Sequence, residues 1–205
     1  FISNKYSYIV TYLLFIIIFT GIINFVNFMD GMDGLVAGCS LIMIFSASLM
    51  VAHSFSYFVL LGSLFGFIIL NWSPAKVFMG DVGSTFLGTV YACSVFQQLT
   101  WHDSFGLLLI GSPLIFDASS CVIRRLITNQ PVFSAHKLHL YQRLYQSGMS
   151  HGLVSLIYIL ATSIVSIVFL NFGIIYCAII AIILILAGMW LDRYVAVPYN
   201  VELNP

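Results

Sequence analysis

LVSLIYILATSIVSIVFLNFGIIYCAIIAIILILAGMWL, residues 153–191, decides the fold. It holds two apolar runs, Leu153–Leu170 and Gly173–Leu191, with only Asn171 and Phe172 between them. A helix needs about 20 apolar residues to cross the hydrocarbon core of a bilayer. Backbone groups in lipid must be paired internally, and these runs lack the alternation of a barrel strand, so both are expected to be helices. Five further runs fit the same reading: Tyr8–Val26, Leu35–Ala52, Tyr57–Leu70, Thr85–Leu99 and Phe105–Ile123, of which Tyr57–Leu70 and Thr85–Leu99 are short. The fold expected is all-α, a polytopic integral membrane protein with about seven transmembrane helices in one domain over residues 1–205, without internal repeats.

Composition agrees. Of 205 residues, 61% are hydrophobic and 7% charged, whereas a soluble domain carries about 25% charged residues. Formal net charge is zero and a basic face is absent, so nucleic acid is not an expected partner. Cys39, Cys93, Cys121 and Cys177 fall in apolar runs without metal-ligand spacing and read as small buried hydrophobes.

The connectors sort into two sets. HSFS (53–56), WHD (101–103) and NF (171–172) are minimal turns, whereas residues 27–34, 71–84 and 124–152 are longer and polar. Seven crossings put all the longer loops on one face. Lys76, Arg124, Arg125, Lys137, Arg143 and Arg193 share it, and only Lys5 lies opposite. Excess Lys and Arg marks the cytoplasmic side, so residues 124–152 are expected to form a cytoplasmic loop.

Those loops carry the chemistry. In VNFMDGMDGL, Asn27, Asp30 and Asp33 recur every three residues and would share one face of a helical turn. Two carboxylates and an amide suit a sugar, a base or a metal, and Gly31 and Gly34 permit close backbone approach. A polar cap opening the next helix would look the same. A calcium loop of the EF-hand type fails for want of its other ligands. In NWSPAKVFMGDVGSTFLG, Asp81 sits between Gly80 and Gly83 where a helix restarts, a natural phosphate site once a cation such as Mg²⁺ bridges the two anions. Phe78 offers a flat face for a base, and a Gly-rich turn capped by Asp is the plainer alternative. In PVFSAHKLHLYQRLYQSGMSH, His136 and His139 would share a helical face able to bind phosphate or metal. Two His without a third ligand are a weak zinc signal, and a solvated loop is the alternative. Asp117, inside an apolar run, is expected to face the bundle interior and find a partner. His53, His102, Asp103 and His151 read as ordinary surface residues.

Together these stretches resemble one family. NFVNFMDGMDGLVAG, PAKVFMGDVGSTFLG, and SPLIFDASSCVIRRL followed by FSAHKLHLYQRL are similar to three ordered signatures of the polyprenyl-phosphate N-acetylhexosamine-1-phosphate transferases, glycosyltransferase family 4. The HxxHxYQRL form is most similar to the O-antigen-initiating branch, rather than to the peptidoglycan translocase. The resemblance implies transfer of a sugar 1-phosphate from a UDP-sugar to undecaprenyl phosphate at the cytoplasmic face of a bacterial inner membrane. It implies Mg²⁺ as cofactor and admits a homodimer. It assigns Asp81 to the metal, Phe78 to stacking on uracil, Asn71 to the pocket, and Asp30 and Asp33, with Asn27 beside them, to the nucleotide site. It places His136 and His139 at the sugar-nucleotide phosphates; Lys76, Arg124 and Lys137 are further candidate substrate contacts, although positive-inside anchoring explains Arg124 and Arg125 about as well. One departure stands out: the family's adjacent Asp-Asp pair does not occur here. With seven crossings against the family's ten or eleven, the expectation is an N-terminal truncation of about 120–150 residues, and no turnover by this chain alone. An inactive remnant and, further off, a transporter are the rival readings. The sugar and the downstream glycan are not legible.

Overall fold

A computed structural model describes residues 2–51, 55–131 and 136–199, with side chains from Tyr8 onward. Within them the chain is all helix: α1 (Ile2–Phe28), α2 (Leu35–Ser48), α3 (Phe55–Asn71), α4 (Gly80–Phe96), α5 (Trp101–Ile110), α6 (Ser112–Ile127), α7 (Leu140–Gln146), α8 (His151–Phe172) and α9 (Ile174–Tyr194). His53, the side chain of Lys5 and residues 132–135 of the 124–152 loop lie outside the described residues.

Every expected apolar run forms helix, but fewer than seven helices reach spanning length. Among the described residues three are long and apolar enough to cross a membrane: Tyr8–Phe28 within α1, α8 and α9. A fourth follows if α5 and α6 count as one span, bent by 73° at Gly111. The apolar helices α2 and α3 have 14 and 17 residues. The bend has a local cause. Pro113 opens α6 and has no N–H to continue the ladder from α5. The hydroxyl of Tyr91, buried on α4, donates to the carbonyl of Leu107 and accepts the N–H of Gly111 at 3.0 Å, so backbone groups loosened by the bend are paired inside the protein.

α1 packs along α4, α2 sits among α3, α4 and α8, and α8 doubles back on α9 through Gly173. One buried cluster, around Met29, Leu35, Leu114, Tyr141 and Tyr158, lies beneath the polar loops. A second, around Met43, Tyr91, Leu107 and Val165, fills the opposite end. The outward faces of α1 and α9 carry Ile, Leu, Phe and Trp side chains exposed as a lipid-facing surface requires. Cys39, Cys121 and Cys177 are buried as expected, whereas Cys93 is exposed; all four are free thiols.

Candidate active site

The chain leaves α1 just where the polar residues begin. Met29 N–H bonds the carbonyl of Val26 at 3.2 Å and Asp30 N–H that of Asn27 at 3.0 Å, a tightening last turn. Gly34 then adopts φ +75°, open to glycine at little cost, and α2 starts. Asn27, Asp30 and Asp33 therefore do not share a helical face, as their spacing suggested; the two aspartates part company. Asp30 turns to the start of α4. There Asn27 Nδ2 donates to Ser84 Oγ at 2.8 Å and approaches Asp81 Oδ1 at 3.5 Å. Burial, and then the neighbouring Asp81 charge, push the Asp30 carboxyl up to about 6, against the Ser84 hydroxyl, which acts the other way. Asp81 itself is exposed in the first turn of α4, whose N–H groups and dipole favour anions.

Asp33 is a fastener. Its Oδ2 accepts the N–H of Ala75 at 3.2 Å and lies 3.3 Å from His151 Nδ1, and its carbonyl accepts the Ser155 hydroxyl at 2.7 Å. It thus ties the 72–79 loop and the start of α8 to the DGMDG turn. Asn71, expected in the pocket, is buried and likewise fastens loops: Oδ1 accepts the N–H of Gly34 at 3.0 Å and Nδ2 donates to the carbonyl of Val77 at 2.9 Å. His151 read as ordinary in the sequence because its partner lies far away along the chain.

His136 and His139 precede α7 instead of riding on it, yet their rings lie 5.0 Å apart. What places them is Asp117. Its carboxylate, buried on α6, accepts the first N–H groups of α7, Leu140 at 2.8 Å and Tyr141 at 3.1 Å, and the Tyr158 hydroxyl at 2.6 Å. Asp117 does face inward and find partners, and it supports the site instead of entering it. The ring of Tyr141 stacks by that of His139 at 5.7 Å, and its hydroxyl reaches the carbonyl of Phe28 at 3.4 Å. The histidine segment is therefore seated against the turn that carries Asp30. Gly31 marks the contact: a Cβ there would stand 2.2 Å from the Tyr141 oxygen.

Arg124 forks onto Asp192 of α9, with N–O distances of 3.2 and 2.5 Å. Arg143 of α7, buried, forms an ion pair with the same Asp192 and donates to the carbonyl of Val197 at 2.8 Å. Both guanidiniums flank the ring of Tyr199. Arg124, expected at a substrate phosphate, thus helps to anchor the end of α9 to α7. No motif drew attention to Asp192; an acid in the last turn of an apolar helix was the signal available. Phe78, Lys76 and Lys137 are exposed beside these loops, and Phe78 shows 76% of its surface. The hard oxygen donors of Asp30 and Asp81 suit Mg²⁺, and a cation there would offset the Asp81 charge that, after burial, raises the Asp30 carboxyl.

Comparison with known proteins gives a consistent picture. Glycosyl transferase family 4 matches residues 1–98, which hold the Asp30 and Asp81 motifs. A Bacillus subtilis protein described as "Probable undecaprenyl-phosphate N-acetylglucosaminyl 1-phosphate transferase" is 32% identical over 187 residues, 85% of this chain and 48% of that protein. A decaprenyl-phosphate N-acetylglucosaminephosphotransferase of Mycobacterium leprae is 34% identical, over 71% of this chain and 44% of its own. A phospho-N-acetylmuramoyl-pentapeptide-transferase of Lactiplantibacillus plantarum is 32% identical, over 62% and 42%. The chain spans about half the length, or less, of these relatives.

Proposed function

This chain fits glycosyl transferase family 4, and from that premise we propose that its protein transfers an N-acetylhexosamine 1-phosphate from a UDP-sugar to undecaprenyl phosphate, on the cytoplasmic face of a bacterial inner membrane, starting a lipid-linked glycan. The observation that carries the reading is the meeting of Asn27 and Asp30, from the end of α1, with Asp81 and Ser84, from the start of α4. It lies where the polar DGMDG turn follows α1, a helix long and apolar enough to span a bilayer. A water-soluble sugar nucleotide and a membrane-bound phosphate have to meet at such a boundary.

Asp30 and Asp81 would hold Mg²⁺, which supplies charge neutralisation to the approaching phosphates. Asn27 fixes the Ser84 hydroxyl and so the first turn of α4. Phe78 stacks on the uracil. His136 and His139, seated by Asp117, offer donors to phosphate oxygens. The bent α5–α6 pair is the kind of feature a transporter uses, but the carboxylate of Asp117 is taken up by Leu140, Tyr141 and Tyr158 and is no solute site.

The test is transfer of radiolabelled sugar phosphate from UDP-GlcNAc, and separately UDP-GalNAc, into lipid. It is run with membranes carrying this chain alone or preceded by whatever its genome encodes in frame upstream. Asp81→Asn keeps the shape but not the charge, so it should remove most of the transfer. Unchanged transfer with Asp81→Asn would overturn the assignment, and absence of lipid product in every arm would overturn the reaction.

A further inference from the structure

Sequence left the HxxH pair without a third metal ligand, and the fold supplies one. Cys121, one turn beyond Asp117 on α6, lies against His136 and His139, and one ligand atom from each of the three comes within 4.8 Å of the other two. We propose that Cys121, His136 and His139 form a binding site for a soft divalent transition metal, with Zn²⁺ as its type, separate from the carboxylate site of Asp30 and Asp81.

The donor set comes first. A thiol that ionises on binding and two imidazoles suit Zn²⁺ and its neighbours, whereas Mg²⁺ prefers oxygen. The second observation is independent. Nδ1 of His139, in a side chain only 5% exposed, has no hydrogen-bond partner. Its near neighbour, Asp117 Oδ1, is 3.7 Å away, close enough for an ion pair if the ring is protonated but too long for a hydrogen bond. A buried polar atom without a hydrogen bond is costly, and a metal ion resolves the cost in either of two ways. The ion takes Nδ1 itself, or it takes Nε2 and leaves an Nδ1–H that closes on Asp117 as a carboxylate behind a histidine ligand.

Tetrahedral zinc places its ligand atoms about 3.3–3.8 Å apart, so the three draw in by at most about 1.5 Å. His136 has the slack to do so. It is half-buried, precedes α7, and among the described residues its Nδ1 accepts a long 3.4 Å contact from the N–H of Leu138. Three protein ligands leave a fourth position for water or a phosphate oxygen. A bound ion would then pin the histidine segment to α6.

The site is tested on the purified chain in detergent, stripped of metal and titrated with Co²⁺, so the outcome does not depend on any transfer activity. One equivalent of Co²⁺ should bind with a thiolate-to-cobalt charge-transfer band, displaced by Zn²⁺. Cys121→Ser should abolish that band and weaken Zn²⁺ binding by more than about 100-fold, beyond the loss usual for a supporting residue. His136→Ala removes a half-buried ring and should weaken binding as much, which decides the matter if the buried Cys121 variant does not fold. Asp81→Asn should leave both readings unchanged. A charge-transfer band that survives Cys121→Ser, absence of the band in the parent protein, or unaltered Zn²⁺ affinity in monodisperse His136→Ala would each overturn the proposal.

Discussion

Asp117 on α6 accepts the backbone N–H of Leu140 on α7 at 2.8 Å, so a carboxylate far away in sequence caps the helix behind the histidine pair. It accepts Tyr141 N–H and the Tyr158 hydroxyl as well. Asp117→Ala leaves three buried donors without a partner. The expected cost is about 2–4 kcal/mol, seen as a Tm lowered by about 5–15 °C in detergent. The histidine segment should also become sensitive to protease. A Tm within a degree or two of the parent would show that the cap is dispensable.

Much of the site was legible because motif residues are local. Asp81 at a restarting helix, Phe78 beside it, and an inward-facing Asp117 all follow from short patterns of glycine, charge and hydropathy. What the chain hid is long-range. The spacing of Asp30 and Asp33 suggested one face of one turn, but α1 ends at Phe28, before either of them, and Asp33 goes to Ala75 and His151. Asn71, assigned to the pocket by resemblance, bonds Gly34 and Val77 through its amide, contacts that no local pattern announces. Asp192 and Cys121 find their roles only through partners brought from other helices. Apolar runs located the long helices, but they did not show that Gly111 and Pro113 break the fifth run or that α7 forms within the polar loop.

Phe78 offers a nearly bare ring three residues before Asp81. Phe78→Ala should weaken UDP binding by about 1–3 kcal/mol, the usual loss for one base-stacking aromatic. Calorimetric titration of the protein with UDP in the presence of Mg²⁺ measures it. An unchanged dissociation constant in a folded variant removes Phe78 from the nucleotide site.

Orientation is open to a labelling experiment. With Cys39, Cys93, Cys121 and Cys177 replaced, a single cysteine at position 78 or 137 should resist an impermeant maleimide in intact cells and react once they are permeabilised. The basic residues of the polar loops motivate the expectation. Ready labelling from outside would invert the topology and remove the cytosolic sugar nucleotide from reach of Asp81.

The Asp30 carboxyl makes stability depend on pH in a definite direction. Its ordinary value is 3.8, and burial together with Asp81 raises it to about 6 in the folded protein. Between those values the folded state holds a proton that the unfolded state has released, so stability falls as pH rises from about 4 to about 6 and then levels off. Asp30→Asn cannot ionise. It should flatten that part of the curve and leave the protein more stable than the parent at pH 7 in the absence of divalent metal. The quantity to follow is the difference between parent and variant. Mg²⁺ should reverse the order. An ion held between ionised Asp30 and Asp81 stabilises the parent at pH 7, does so far less at pH 5, and has a much smaller effect on Asp30→Asn. Thermal unfolding in detergent at pH 4.5 to 7.5, with Mg²⁺ or a chelator, gives all four curves. Parallel curves for parent and variant would mean that neither burial nor Asp81 raises the Asp30 carboxyl. A Mg²⁺ effect equal in both would move the ion away from this pair.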